Sequence, residues 1–178
     1  MRHIDLKEFS GFLSGYTELR AHENRTVNIL CVKGNITSNS RTDIGGISAR
    51  VYKNGSWGFA SSPDLSRDSI VSVIRAASEN ASFLDSRENK GKGSLPGAPV
   101  VSENIFKTAK PRLSQKELVE FVREIDSHIA NTYPNLASRT VLLNCLDMEK
   151  ILLTSGGSYS HSLIPRSIVR VSMSVEKD

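Results

Sequence analysis

Residues 44–60 have the pattern of two strands that are apolar on both faces, and the pattern turns back on itself at Asn54-Gly55. This dipeptide favours a two-residue type I′ turn, because both of its residues tolerate a positive φ. The segment therefore predicts an antiparallel β-hairpin. A turn at this point sets four pairs of residues opposite each other: Ala49 and Ala60, Arg50 and Phe59, Val51 and Gly58, Tyr52 and Trp57.

The two faces of this hairpin differ in kind. The first is small and aliphatic, with Ile47, Ala49, Val51, Gly58 and Ala60. The second carries Arg50, Tyr52, Trp57 and Phe59, which are candidate structural or interface residues. A sheet with one solvated face alternates cleanly between apolar and polar residues. Because this hairpin is apolar on both faces, we expect both faces to be covered. We expect the guanidinium of Arg50 either to stack on the rings or to pair with a carboxylate that the sequence does not identify.

Two longer stretches have the period of amphipathic helices. The first begins after Ser62 or Ser66 as N-cap, and its apolar stripe is Ile70, Val73, Ile74, Ala77, Ala81 and Leu84. Its alanines let it lie close over the small hairpin face. The second opens with a capping box at Ser114 and Glu117. Its predicted buried stripe is Leu118, Phe121, Val122, Ile125 and Ile129, and Asp126 is assigned to the solvated face.

The remaining segments predict a short helix over residues 4–13 and several strands. Strands are expected at 27–32 and 36–40 around a turn at Gly34-Asn35, and at 138–146 and 151–154 around a polar turn at 147–150. A half-buried strand is expected at 169–175. Residues 85–112 are polar and rich in glycine and proline, which indicates a linker or long loop with one extended piece at 100–106.

Together these elements predict an α+β fold of antiparallel β-meanders with packed helices, in two similar α/β layers. The predicted domains are a hairpin-centred sheet plus helix at 1–84, the linker at 85–112, and a helix plus antiparallel strands at 113–178. We expect the last of these to be incomplete at its C-terminal end.

Charge and composition narrow the function classes. The formal net charge is +4, and the 23 basic and 19 acidic residues are interspersed without a basic run, so a nucleic-acid partner is not expected. The two cysteines, Cys31 and Cys145, are expected to be reduced and buried. No apolar stretch suits a signal peptide or a membrane span. The sequence therefore predicts a cytoplasmic protein with no membrane partner.

The sequence contains few candidate catalytic or metal-binding residues. The four histidines are His3, His22, His128 and His161, and His22-Glu23 opens like a zinc-protease signature. Neither Thr26 nor Val27 supplies the second histidine of that signature. No nucleophile elbow and no dinucleotide fingerprint occurs. The residues alone predict neither a catalytic nor a metal-binding position in this chain.

The sequence of the hairpin segment also resembles part of a known protein family. Gly45-Gly46-Ile47-Ser48-Ala49-Arg50-Val51, then Gly55-Ser56-Trp57-Gly58-Phe59-Ala60 and an alanine-bearing helix, resemble the N-terminal region of the TldD/PmbA family, also called modulators of DNA gyrase. A glycine-rich turn at Ser155-Gly156-Gly157, followed by a strand, is similar to a turn in the same family. The resemblance is strong over 16–84 and looser beyond.

This resemblance implies a metalloprotease that matures or degrades small peptides, acting as a homodimer or as a heterodimer with a family paralogue. The family's zinc ligands lie in a His-Glu-x-x-x-His helix and a later cysteine, downstream of the matched region. Zinc is therefore implied for full-length members only. The chain is then an N-terminal fragment that serves as scaffold, dimer surface or wall of a peptide chamber. The alternative is a non-catalytic partner or peptide-binding module, since one branch of the family lacks the zinc motif.

Overall fold

A computed structural model describes residues 4–95 and 99–176 of the chain. The elements in chain order are a 3-10 helix at Leu6–Phe12, β1 at Tyr16–Val32, β2 at Asn35–Lys53, β3 at Ser56–Ser62, α1 at Arg67–Glu88, β4 at Val101–Ile105, α2 at Gln115–Thr132, β5 at Ser138–Thr154 and β6 at Tyr159–Ser174. The strands form a six-stranded sheet in the order β3-β2-β1-β5-β6-β4. The α+β class is confirmed. The sheet is mixed rather than wholly antiparallel, because β4, the extended piece inside the polar segment, pairs parallel with β6.

The described residues divide into two compact units. The first unit comprises Met1–Glu23, Ile44–Ile105 and Met148–Ile164, and the second comprises Asn24–Asp43, Phe106–Asp147 and Pro165–Asp178. Each unit has a hydrophobic core of its own, the first centred on the hairpin and α1 and the second on α2.

In the first unit the hairpin has the predicted register. Asn54 and Gly55 have φ values of 48° and 101°, as a type I′ turn requires, and Tyr52 pairs with Trp57. Helix α1 begins after the N-cap Ser66 and buries Ile70, Val73, Ile74, Ala77 and Ala81 in the core. A Cβ atom added to Gly58 would lie 2.0 Å from the Ala77 carbonyl oxygen. The small hairpin face is therefore covered by this helix, as the sequence predicts.

Two details of the first unit differ from the prediction. Leu84, assigned to the buried stripe of α1, is 36% exposed in the last turns of the helix. The short N-terminal helix is a 3-10 helix, with the Asp5 side chain capping it by accepting a hydrogen bond from the Lys7 amide at 2.9 Å. This helix buries Leu6 and Phe9 in the core and leaves Phe12 exposed.

In the second unit α2 packs through Val122 and Ile129 onto apolar side chains of the strands, namely Ile29, Cys31, Val141 and Leu143. The capping box of Ser114 and Glu117 is confirmed. Asp126, predicted on the solvated face, is buried instead. The reason is an ion pair, because the guanidinium of Arg139 donates to both of its carboxylate oxygens at 2.9 and 3.1 Å. Phe121, predicted to be buried, is 38% exposed.

The strands are longer than the sequence suggests. The predicted turn at 147–150 is wrong, because β5 runs through it without a break. Its polar side chains are held by partners: Asp147 by Arg112, and Glu149 by His161. The first turn lies at Lys33-Gly34, with φ values of 48° and 85°, one residue earlier than predicted. The residues predicted as a half-buried strand are exposed: Val169, Val171, Met173 and Val175.

Among the described residues, none of the helices is both long and apolar enough to cross a membrane.

Candidate functional site

The outer face of the hairpin brings all four candidate residues together. Side chains of a strand point alternately to its two faces, so Arg50 and Tyr52 of β2 share a face with Trp57 and Phe59 of β3. The neighbouring strand β1 adds Tyr16 and Glu18, which contact this group. We term this set the aromatic face: Tyr16, Glu18, Arg50, Tyr52, Trp57 and Phe59.

Arg50 makes both of the contacts that the sequence leaves open. Its Nε and Nη2 atoms donate to the two carboxylate oxygens of Glu18 at 3.1 and 2.9 Å. Its guanidinium carbon also lies 4.3 Å from the centre of the Trp57 ring, a cation–π geometry. The hydrogen bonds that Arg50 donates to Glu18 raise the pKa of Arg50 further above its already high value. Arg50 is therefore a fixed cation that ties β1, β2 and β3 together.

The rings are fixed in the same way. Trp57 meets Tyr16 and Tyr52 edge to face, with centroid distances of 5.9 and 5.2 Å. The Tyr52 hydroxyl donates to the Gly93 carbonyl at 3.0 Å, and the Tyr16 hydroxyl donates to Glu18 at 3.1 Å. Burial, together with the charge of Glu18, raises the pKa of Tyr16, so its hydroxyl stays protonated at neutral pH.

The aromatic face is nevertheless open outward. Trp57 is 37% exposed and Phe59 is 58% exposed. A rigid cluster of rings around a paired arginine offers an apolar, partly cationic surface for contact.

Within residues 4–95 and 99–176, no cluster of three or more His, Cys, Asp or Glu side chains is arranged to hold a metal ion. His161 is hydrogen-bonded through Nε2 to Glu149 at 3.0 Å, His128 is exposed on α2, and His3 lies outside the described residues. The described residues thus do not fit the zinc that the resemblance implies for full-length members, and we assign no step to it.

A feature that the sequence did not reveal lies within the second unit. It is a cavity of about 510 Å³ whose lining includes five cations and a single carboxylate: Arg25, Arg41, Lys110, Arg112, Arg166 and Asp147. We term it the basic cavity. Arg112 donates to Asp147, forming an ion pair. The cations come from three strands and one loop, so no basic run in the sequence signals them.

Part of the chain is similar to a known protein family and to a curated protein. Residues 17–81 match the family described as PmbA/TldA metallopeptidase domain 1, a segment that includes the whole aromatic face except Tyr16. A protein named Metalloprotease from Methanothermobacter thermautotrophicus is 29% identical over 148 residues, which are 80% of this chain and 30% of that protein.

Solved structures share the fold. A proposed modulator of a DNA gyrase from Thermotoga maritima has a TM-score of 0.61 at 14% identity, over 89% of this chain and 39% of that one. A proposed modulator of DNA gyrase from Bacteroides thetaiotaomicron has a TM-score of 0.69 at 10% identity, over 95% and 39%. TldE from Thermococcus kodakarensis has a TM-score of 0.56 at 13% identity, over 94% and 41%.

The chain thus spans less than half the length of each of these relatives. At such low sequence identity, the structural similarities show a shared fold and nothing further. The family match is the stronger evidence of relatedness, because it covers the hairpin and most of α1 in continuous sequence. Residues 17–81 are thus similar to PmbA/TldA metallopeptidase domain 1, and 80% of the chain is similar to part of a protein named Metalloprotease.

Proposed function

We propose that this chain is the non-catalytic N-terminal region of a zinc-dependent peptidase that matures or degrades peptides, and that it serves there as scaffold, dimer surface or wall of the peptide chamber. The observation that carries the proposal is the exposure of Trp57 and Phe59 inside the segment that matches the family. Exposed rings next to one another are stabilised when another protein surface covers them.

The fixed geometry of the aromatic face supports a contact role. Arg50 is already paired with Glu18, and Trp57 is already held between two tyrosines. A surface whose side chains are ordered before contact loses little conformational entropy on association. The occupant that we propose is another domain of the same protein, a second copy of it, or a family paralogue.

The peptidase part of the proposal is tested on the natural protein. We would measure its intact mass, its zinc content and its chelator-sensitive cleavage of short peptides in material from the source cells. A mass well above 19.5 kDa with bound zinc and such cleavage is the expected result. A mass near that value without zinc or cleavage contradicts it and favours the alternative, a non-catalytic partner or peptide-binding module.

The contact role is tested by a matched pair of substitutions. Phe59 and Phe83 are 58% and 56% exposed, but only Phe59 lies on the aromatic face. We expect Phe59→Ser to weaken self-association or association with a paralogue about tenfold, as loss of a well-packed ring does, whereas Phe83→Ser leaves it unchanged. Sedimentation velocity measures the association of both variants. Equal behaviour of the two variants would rule out this face as an assembly surface. The cytoplasmic location and the lack of a nucleic-acid partner stay predictions.

A further inference from the structure

Every residue that lines the basic cavity belongs to the second unit. Strands β1, β2, β5 and β6 contribute to its walls, together with the loop before α2 and the first turn of that helix. A volume of about 510 Å³ lies in the usual range for ligand pockets. The cavity is therefore large enough for one or two amino-acid side chains of a ligand.

The lining is strongly unbalanced in charge. Asp147 is paired with Arg112. Arg41 lies 3.8 Å from Asp43, but both side chains are about half exposed and such pairs are weak. Five cations and one carboxylate leave the lining with a formal charge of +4, which equals the net charge of the whole chain. Because a concave surface focuses the potential of its charges, this cavity attracts anions.

The rest of the lining indicates the class of anion. Guanidinium groups match both carboxylates and phosphates. The apolar lining residues, among them Val27, Leu113 and Leu118, require a ligand that also has an aliphatic part. None of the lining residues is aromatic, so nucleic-acid bases have no ring on which to stack. A peptide that carries a carboxylate meets these conditions better than a nucleic acid does.

We propose that the basic cavity binds an acidic peptide segment, with an Asp or Glu carboxylate among the arginines and a neighbouring aliphatic side chain against the leucines. Nothing in the comparisons assigns a ligand to these residues. The inference concerns binding by the second unit, and it does not rest on the scaffold role proposed for the aromatic face.

The chain contains its own reporter for this site. Cys145 lines the cavity, and its Sγ atom accepts a hydrogen bond from the Ser167 hydroxyl at 3.4 Å. The other cysteine, Cys31, is fully buried, and burial raises the pKa of its thiol. Because a buried protonated thiol is inert, a thiol reagent applied to the native chain reports on Cys145. A bound ligand should slow this reaction, and Cys145→Ser gives the background.

The test uses the 178-residue chain and a fluorescein-labelled peptide of sequence Ala-Leu-Glu-Glu-Leu-Ala with blocked ends. Its matched control replaces both glutamates by glutamine. The site variant is the double substitution Lys110→Gln and Arg166→Gln, two cations that have no carboxylate partner among the described residues. The charge control is Arg75→Gln, exposed on α1 and absent from the lining. Circular dichroism verifies that each variant is folded.

We expect the acidic peptide to bind at least about tenfold more tightly than its glutamine form, since hydrogen bonds between charged groups are worth about that factor or more. The double variant should lose about tenfold in affinity, Arg75→Gln should lose none, and rising salt should weaken binding. The peptide should also protect Cys145 from the thiol reagent.

Several results would overturn the proposal. They are equal affinity for the two peptides, a double variant that binds as Arg75→Gln does, and labelling of Cys145 that bound peptide leaves unchanged. Tighter binding of single-stranded oligothymidylate than of the acidic peptide would overturn it in favour of nucleic acid. None of these readouts depends on association of the chain, so failure here is distinct from failure of the scaffold role.

Discussion

Gly58 of β3 faces Ala77 of α1 so closely that a Cβ atom on the glycine would lie 2.0 Å from the alanine carbonyl oxygen and 2.3 Å from the Ala81 amide nitrogen. Both obstacles are backbone atoms, which cannot swing aside as a side chain does. The absence of a side chain at Gly58 is thus the condition under which α1 lies against the hairpin.

We expect Gly58→Ala to destabilise the chain by about 3 kcal/mol, at the upper end of the cost of overpacking a core. The helix must move away from the sheet to admit the methyl group. Urea unfolding followed by circular dichroism measures this change. Gly93→Ala is the control, because a Cβ there would meet no atom within 4 Å. Equal stability of the two variants would show that α1 does not pack as described.

Arg50→Ala is expected to impair folding or assembly without acting on chemistry directly. It removes a two-point ion pair with Glu18 and the stacking on Trp57, which together contribute about 1–2 kcal/mol for a half-exposed guanidinium. A double-mutant cycle with Glu18→Gln separates the ion pair from the stacking. A soluble and fully folded Arg50→Ala protein with unchanged stability and oligomeric state would contradict this prediction.

Asp126→Ala is expected to cost about 3 kcal/mol, as breaking a buried ion pair does. The substitution leaves Arg139, whose side chain is 21% exposed, without its partner. Chemical denaturation gives the free energy of unfolding. Glu124→Ala, at an exposed position two residues earlier on the same helix, should change it little, and a similar loss in both variants would mean that Asp126 has no special role.

The capping box of α2 predicts a pH dependence. Hydrogen bonds from the side chain and backbone of Ser114 hold the pKa of Glu117 below its ordinary value. A carboxyl group with a lowered folded-state pKa stabilises the fold above its unfolded pKa of about 4.3 and loses this effect as pH falls through the folded pKa. The original chain should therefore melt at a higher temperature than Glu117→Gln at about pH 6, and this difference should shrink as the pH falls to about 3. A constant difference across that range would contradict the cap, and exposed Glu124→Gln serves as control.

Local signals account for what the sequence predicted well. The Asn54-Gly55 turn sets the hairpin register by itself, and the spacing of Ile70, Val73 and Ala77 fixes the buried side of α1. The Ser114 capping box likewise depends on residues within one turn. These features need no knowledge of distant chain segments.

Distant partners account for what the sequence missed. Asp126 is buried only because Arg139 on another element reaches it, and the polar stretch of β5 continues as a strand because Arg112 and His161 hold its carboxylates. Glu18 pairs with Arg50 across 32 positions. The basic cavity collects cations from several strands and a loop. The pattern of residues along the chain does not reveal any of these pairings.

The contacts of the hairpin also bear on how the chain acquires its fold. After α1 the chain returns to the turn, where the Lys92 amide donates to the Asn54 carbonyl and Glu88 accepts from the Ser56 hydroxyl. These partners are 38 and 32 positions apart, so closing this loop costs less entropy than joining Thr17 to Ser155 across 138 positions. We therefore expect the hairpin and α1 to order first, with Gly58→Ala slowing folding more than it speeds unfolding.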